Sequence, residues 1–129
     1  MFIIISPAKS LYDHSPIHFE KFTVPEFMDE TEKIVSVMRK KKPAQLAQLM
    51  DISPKLAALN FQRYQDWSPI YTPENSWQAI LMFNGTVYQG MKAETFSPVN
   101  FETAQQKLRI LSGVYGLLRP LDRIQPSVS

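Results

Sequence analysis

The segment from Leu46 to Leu59 carries the clearest chemistry in the sequence. Leu46, Leu49 and Met50 repeat at helical spacing, Asp51-Ile52-Ser53 breaks the pattern, and Ser53-Pro54 opens a second helical stretch with Lys55 in its first turn. The first N–H groups of a helix have no partner inside it, and the helix dipole makes that end partly positive, so such a turn attracts an anion. A lysine in the first turn opposes the dipole by roughly a few tenths of a kcal/mol, a penalty that a bound anion removes. Just upstream lies the basic run Arg39-Lys40-Lys41-Lys42. Arg109, Arg119 and Arg123 add forked donors suited to phosphate. Ser6 and Lys9 follow a short apolar run, and strand ends in α/β folds often carry functional groups. Lys9 there is a candidate phosphate ligand or, if desolvated, a base.

Each of these has a plainer reading. Basic residues at 39–42 suit the end of a helix, Ser53 is a natural N-cap, and a charge run is commonly a solvated face. Tyr88 and Tyr115 offer rings for base stacking, but aromatics are more often core. Glu94-Thr95 reads as a helix-end hydrogen-bond pair. His14 and His18 are four apart, yet Pro16 between them opposes the helix that would let them share a metal. No metal site, cofactor or phosphate-binding glycine loop is read from the spacing, and no catalytic triad is visible.

The elements that must position these residues follow from periodicity. Phe2–Ile5 predicts a buried strand ended by Pro7, and residues 7–24 a long loop. A helix is expected from Pro25 or Glu26 to about Lys40–Lys42, with Phe27, Ile34, Val35 and Met38 on one stripe. Pro43 begins a short helix with Leu46, Leu49 and Met50 inward. Pro54 begins another that sets Leu56, Leu59, Arg63 and Trp67 along one face. Ala79–Phe83 predicts a second strand, Pro98–Gln106 a helix capped by Ser97, and Leu108–Leu111 a third strand. Ser112 to Pro120 reads as a glycine-hinged loop. Three apolar strands separated by helices predict an α/β domain, a mixed sheet with surrounding helices, in one unit over 1–129.

Composition narrows the classes. With 129 residues, 44% hydrophobic and 20% charged, the chain suits one globular domain. It has no cysteine, so disulfides, thiolate catalysis and cysteine-ligated zinc or iron–sulfur are excluded. The apolar start is too short for a signal peptide or a membrane span, which makes the cytoplasm the expected compartment. Net charge is only +2, but residues 39–67 hold six basic and two acidic groups, and residues 107–129 four and one. Two basic islands form one anion-binding face if the fold joins them.

The Leu46–Leu59 segment, within a helical pair at about 43–67, resembles a helix–hairpin–helix DNA-binding motif. Asp51 and Ser53 stand where that motif usually has glycines, and Ile52 takes the place of its buried aliphatic residue. The pattern alone favours a purely structural hairpin. Several blocks then match one family in order: Ile3-Ile4-Ile5-Ser6-Pro7-Ala8-Lys9, the hairpin region ending Asp66-Trp67, Ala93-Glu94-Thr95-Phe96, and Leu111-Ser112-Gly113-Val114-Tyr115-Gly116-Leu117-Leu118-Arg119-Pro120-Leu121-Asp122. The chain resembles the YaaA peroxide-stress family. That resemblance implies a bacterial cytosolic protein induced by hydrogen peroxide, which lowers free iron and limits oxidative DNA damage. It also implies an α/β fold of the family's own, a basic cleft and DNA binding. Family members continue past the Arg119–Asp122 block, whereas this chain stops at Ser127-Val128-Ser129, so a truncated chain with an incomplete fold is expected. The leading expectation is a non-enzymatic DNA-binding protein contacting duplex or distorted DNA through its backbone, with no membrane or protein partner inferred. Its contacts are Arg39 to Lys42, Ile52 to Lys55, Arg109, Arg119 and Arg123. The alternatives are an enzyme acting on damaged DNA or nucleotides, with Ser6 and Lys9 as candidate catalytic residues, and an iron-handling factor.

Overall fold

A computed structural model describes residues 2–8, 11–12 and 20–126. Lys9, His14 and His18 lie outside the described residues, so their proposed roles have no geometry here.

Strand β1 (Ile3–Ile5) leads to helices α1 (Met28–Met38), α2 (Pro43–Met50) and α3 (Pro54–Asp66). Strand β2 (Trp77–Gln78), the single turn α4 (Ala79–Met82) and helix α5 (Thr86–Met91) follow, then a 3-10 turn at Ala93–Thr95 and helix α6 (Pro98–Lys107). Strands β3 (Leu108–Ser112), β4 (Gly116–Leu118) and β5 (Arg123–Ile124) end the series. β3 is central in a three-stranded sheet, parallel to β1 and antiparallel to β4, while β2 and β5 pair antiparallel in a second, two-stranded sheet. The expected mixed sheet with surrounding helices is therefore present.

The helix boundaries follow their caps. Pro43, Pro54 and Pro98 each stand in a first turn, where the missing N–H costs nothing. Ser97 Oγ accepts from the Asn100 amide at 3.2 Å, and Asn100 Oδ1 accepts from the Ser97 amide at 3.0 Å, a reciprocal cap. Gly116 opens β4 at φ +73°, and a Cβ there would meet the Phe27 ring at 3.1 Å. A glycine answers both demands.

Three expectations are corrected. Ala79–Met82 is one helical turn, not a strand. Its leading amides, Ala79 and Ile80, donate to the carbonyls of Asp122 and Pro120 at 2.8 and 3.1 Å, which fixes a turn over the 120–122 segment. A uniformly apolar run carries no period with which to choose between the two. Residues 112–120 contain a strand, because Ser112, Leu111 and Ile110 pair back on Gly116, Leu117 and Leu118. Finally, β1 is not buried: Phe2, Ile3 and Ile4 are each more than half exposed at the sheet edge.

The main core gathers Val35, Leu46, Ala57, Tyr64, Trp67, Phe83, Ile110, Tyr115, Leu118 and Ile124 from every part of the described chain. A second cluster holds Ile80, Leu81, Phe101 and Leu121. Tyr115 is fully buried, and its hydroxyl donates to the Gln125 carbonyl while accepting from the Gln125 amide, both at 3.1 Å. Against the incomplete fold expected from the sequence, the described residues share a core that runs from α1 to β5.

Candidate nucleic-acid interface

Helices α2 and α3 pack against each other as a hairpin around Asp51-Ile52-Ser53. Asp51 closes α2 in the left-handed region at φ 53°, ψ 54°, its amide donating to the Ala47 carbonyl. The Ile52 amide reaches the same carbonyl at 3.1 Å. These bonds satisfy orphan carbonyl capacity at the helix end. Ser53 caps α3: its hydroxyl accepts from the Leu56 amide at 3.2 Å, and its carbonyl from the Ala57 amide at 2.9 Å. The amides of Ser53 and Lys55 have no hydrogen-bond partner among the described residues. Asp51, Ser53, Pro54 and Lys55 are exposed, and Ile52 is half-buried beneath them. So part of the turn is closed internally, and two donors at the start of a 13-residue helix remain open to solvent.

The basic run divides. Arg39 Nε donates to the Tyr64 carbonyl at 2.9 Å, and Nη2 donates to the Trp67 carbonyl. Its fork closes the C-terminal end of α3 and is occupied there. Lys40 and Lys42 are exposed and Lys41 half-buried, none in a salt bridge among the described residues. Lys42 is the N-cap residue of α2, its amide held by Gln45 Oε1 at 2.8 Å.

The three later arginines sit among protein groups. Arg109 Nη1 donates to the carbonyls of Gln105 and Leu108 at 2.7 and 2.8 Å, and its guanidinium lies 4.4 Å from the Phe2 ring centre. Arg119 donates to Asp122 at 3.1 Å and to the Val24 carbonyl at 2.8 Å, with Glu26 at 3.5 Å. Arg123 lies 4.1 Å over Phe22. Asp122 is fully buried, and burial raises its pKa while Thr23 and Arg119 pull it back. Tyr115, weighed for stacking, is core. Thr95 Oγ1 donates to the Lys92 carbonyl at 2.7 Å, the helix-end arrangement expected near Glu94.

A second feature sits where β1 ends. Ser6, Pro7 and Ala8 face Asn84, Gly85 and Thr86 across a cleft of about 520 Å³. The Tyr88 hydroxyl donates to the Ser6 carbonyl at 2.6 Å, and burial pushes its pKa up to about 12, so it stays a donor near neutral pH. Gly85 lets the walls meet, since a Cβ there would lie 3.2 Å from the Ala8 Cβ. Sequence reasoning named Ser6, and Tyr88 only as a stacking ring, but did not join them with Asn84 and Gly85. Among the described residues no group of three His, Cys, Asp or Glu could hold a metal, and no helix is long and apolar enough to cross a membrane.

Fold and site together define a small mixed α/β protein with an exposed helical hairpin and a cleft at a strand end. Comparison with known sequences gives the kinship: the profile of the peroxide stress protein YaaA matches residues 1–127, and the chain belongs to that family. A UPF0246 protein of Burkholderia multivorans is 53% identical over 126 residues, 98% of this chain and 48% of that protein. UPF0246 proteins of Burkholderia cenocepacia and Burkholderia vietnamiensis are 53% and 52% identical with the same coverage. The chain spans about half the length of the curated relatives it matches. Against the expected truncation and incomplete fold, the family match takes in nearly all of the given sequence, residues 1–127 and 98% in the alignments, while covering 48% of the relative's length. The family is described as one of peroxide stress proteins.

Proposed function

We propose that the chain is a DNA-binding protein of the cytoplasmic response to hydrogen peroxide, and that its α2–α3 hairpin holds a backbone phosphate. The observation that carries this is the exposed turn, with the Ser53 and Lys55 amides open at the dipole-positive end of α3 and the Lys55 ammonium beside them. Lys40 and Lys42 extend the contact. An eight-residue helix is about 12 Å long, and phosphates on one strand advance about 3.4 Å per step along the duplex axis. The two ends of α2 therefore reach phosphates three or four steps apart. Contacts of this kind position a protein on DNA without reading its sequence. Protection of DNA against iron-driven damage then follows from occupancy, and any effect on free iron is indirect.

Duplex binding followed by fluorescence anisotropy over a salt series tests this. Affinity is expected to fall steeply with salt. Lys55→Ala should weaken binding and lower the slope of log K against log salt by about 0.9, the share of one phosphate contact. Superimposable curves for wild type and Lys55→Ala would remove the hairpin from the mechanism.

The cleft beside Ser6 favours a second reading, an enzyme acting on damaged DNA or nucleotides. It lies at the carboxyl end of a parallel strand, where α/β folds place their ligands. Release of base or phosphate from a lesion-bearing oligonucleotide, abolished by Lys9→Ala, is its expected signature. No release from such substrates counts against it.

A further inference from the structure

The cleft where β1 ends carries the dipeptide Asn84-Gly85 on the wall facing Ser6, Pro7 and Ala8. An asparagine followed by glycine has the means to modify itself. The glycine amide nitrogen attacks the asparagine Cγ, and no Cβ on the glycine hinders the approach. In a folded chain the outcome depends on what holds three groups: the attacking N–H, the leaving Nδ2, and the Oδ1 on which charge collects.

All three are set for reaction at Asn84. The Gly85 amide has no hydrogen-bond partner among the described residues, so its proton is open to hydroxide. Asn84 Nδ2 donates to none of them either, so the leaving amine is not held. Oδ1 accepts from Gln89 Nε2 at 2.8 Å. Gln89 sits one helical turn beyond Gly85, its main-chain amide donating to the Gly85 carbonyl at 2.8 Å. A donor fixed on the oxygen where charge develops stabilises the transition state.

The other asparagines are closed to this chemistry. In Asn75-Ser76, Asn75 Oδ1 accepts from the Thr72 amide at 2.8 Å and Nδ2 donates to the Ile70 carbonyl at 2.9 Å. Ser76 is buried, and its amide donates to the Thr72 carbonyl at 3.1 Å. After Asn100, the Phe101 amide donates to the Ser97 carbonyl at 3.1 Å. After Asn60, Phe61 lies inside α3, where the helical ladder takes up its amide.

We propose that Asn84-Gly85 is a self-modifying site, which turns the amide on the cleft wall into a carboxylate through a succinimide, with Gln89 stabilising the oxyanion. Hydroxide removes the Gly85 amide proton. The nitrogen bonds to Asn84 Cγ, the negative charge moves to Oδ1 beside Gln89, and its collapse breaks the Cγ–Nδ2 bond. Nδ2 takes a proton from water and leaves as ammonia. Water then opens the ring. Cleavage of the new N–Cγ bond gives aspartate, and cleavage of the original peptide bond gives isoaspartate, whose main chain runs through Cβ and Cγ. In sum a water is consumed, an ammonia is released and nothing is oxidised or reduced. Either product places a carboxylate opposite Ser6, where it repels an anionic ligand that a neutral amide tolerates. Isoaspartate also lengthens the main chain next to Gly85, where even an added Cβ would lie 3.2 Å from the Ala8 Cβ, so the two walls part.

The full chain is incubated in neutral and in mildly alkaline buffer, digested and mapped by mass spectrometry, with isoaspartate counted by a methyltransferase specific for it. Asn84 should convert roughly tenfold faster than Asn75, whose hydrogen bonds must break first. Conversion should speed up as pH rises, with isoaspartate the larger product. Gln89→Ala, an exposed substitution, should slow it about threefold to tenfold at an unchanged melting temperature, the share of one hydrogen bond to the developing charge. In urea, where local sequence alone decides, the Gln89→Ala difference should vanish and Asn75 should speed up. No conversion at Asn84, conversion to aspartate alone, equal rates at Asn75 and Asn84 in the folded chain, or a Gln89→Ala rate at or above wild type overturns the proposal. None of these readouts involves nucleic acid, so the outcome is independent of the hairpin.

Discussion

At the residue scale, charge in this chain is divided between side chains that hold the fold and side chains left to solvent. Arg39 belongs to the first group, since its guanidinium closes two carbonyls at the end of α3. Hydrogen bonds from charged donors contribute about 1.5–3 kcal/mol each. Arg39→Ala is expected to lower stability by about that amount in urea unfolding, while the salt slope of DNA binding stays at the wild-type value. A reduced slope at wild-type stability would place Arg39 on the DNA instead. Asp122 gives a pH test. Burial raises its folded pKa above the ordinary 3.8, so protonation favours the fold. Its contribution is most favourable below pH 3.8 and is lost as pH rises through the elevated folded value. The stability difference between wild type and Asp122→Asn should therefore be largest in acid and decline toward neutral pH. Urea unfolding at a series of pH values checks this, and a difference flat with pH would contradict it.

At the element scale, the hairpin departs from the glycine pattern of its motif in a way that can be reversed. Asp51 holds a left-handed conformation that costs a side-chain-bearing residue roughly 1–2 kcal/mol, less for aspartate, and its carboxylate stands beside the proposed phosphate. Asp51→Gly is expected to tighten duplex binding several-fold, with a melting temperature equal to or above wild type. Weaker binding in that variant would show that the carboxylate is a positive part of the site. The elements most legible in the sequence were those announced by caps. Pro43, Ser53-Pro54 and Ser97-Pro98 mark helix starts by chemistry local to the chain. Which face each helix buries was less legible. Leu49 was read inward but is exposed, Leu59 was set on one face with Arg63 and Trp67 but is exposed while they are buried, and Thr31 and Asn60 are buried. Thr31 is buried because its hydroxyl donates to the Val114 carbonyl at 2.9 Å, 83 residues away, and no local pattern announces such a partner. The same holds for the site. Lys55 and Lys40–Lys42 were visible as charges, whereas the meeting of Ser6 with Tyr88 depends on long-range packing. The partners of the arginines were not legible for a related reason. A guanidinium suited to phosphate is equally suited to backbone carbonyls at helix ends, and the fold supplies those first.

At the scale of the whole molecule, one sheet surface stands apart from the rest. Ile4 pairs with Arg109 and Leu111 with Leu117, and these residues share the outward face of β1, β3 and β4. Ile3, Ile4 and Leu111 are each more than half exposed, and β1 has no strand on its outer side among the described residues. Parallel pairs such as β1–β3 are usually covered on both faces. An apolar edge strand left open is also a template for pairing with another chain. A charge on that edge blocks such pairing at little cost, because an exposed side chain contributes little to the core. Ile4→Lys is therefore expected to reduce concentration-dependent self-association of this 129-residue chain, followed by sedimentation velocity, and to move the melting temperature by only a degree or two. Duplex affinity through the hairpin should be unaltered, since α2 and α3 are not strands of that sheet. Unchanged self-association in Ile4→Lys would mean that the outward face of the sheet is not what brings copies together, and a large loss of stability would mean that β1 is covered in solution.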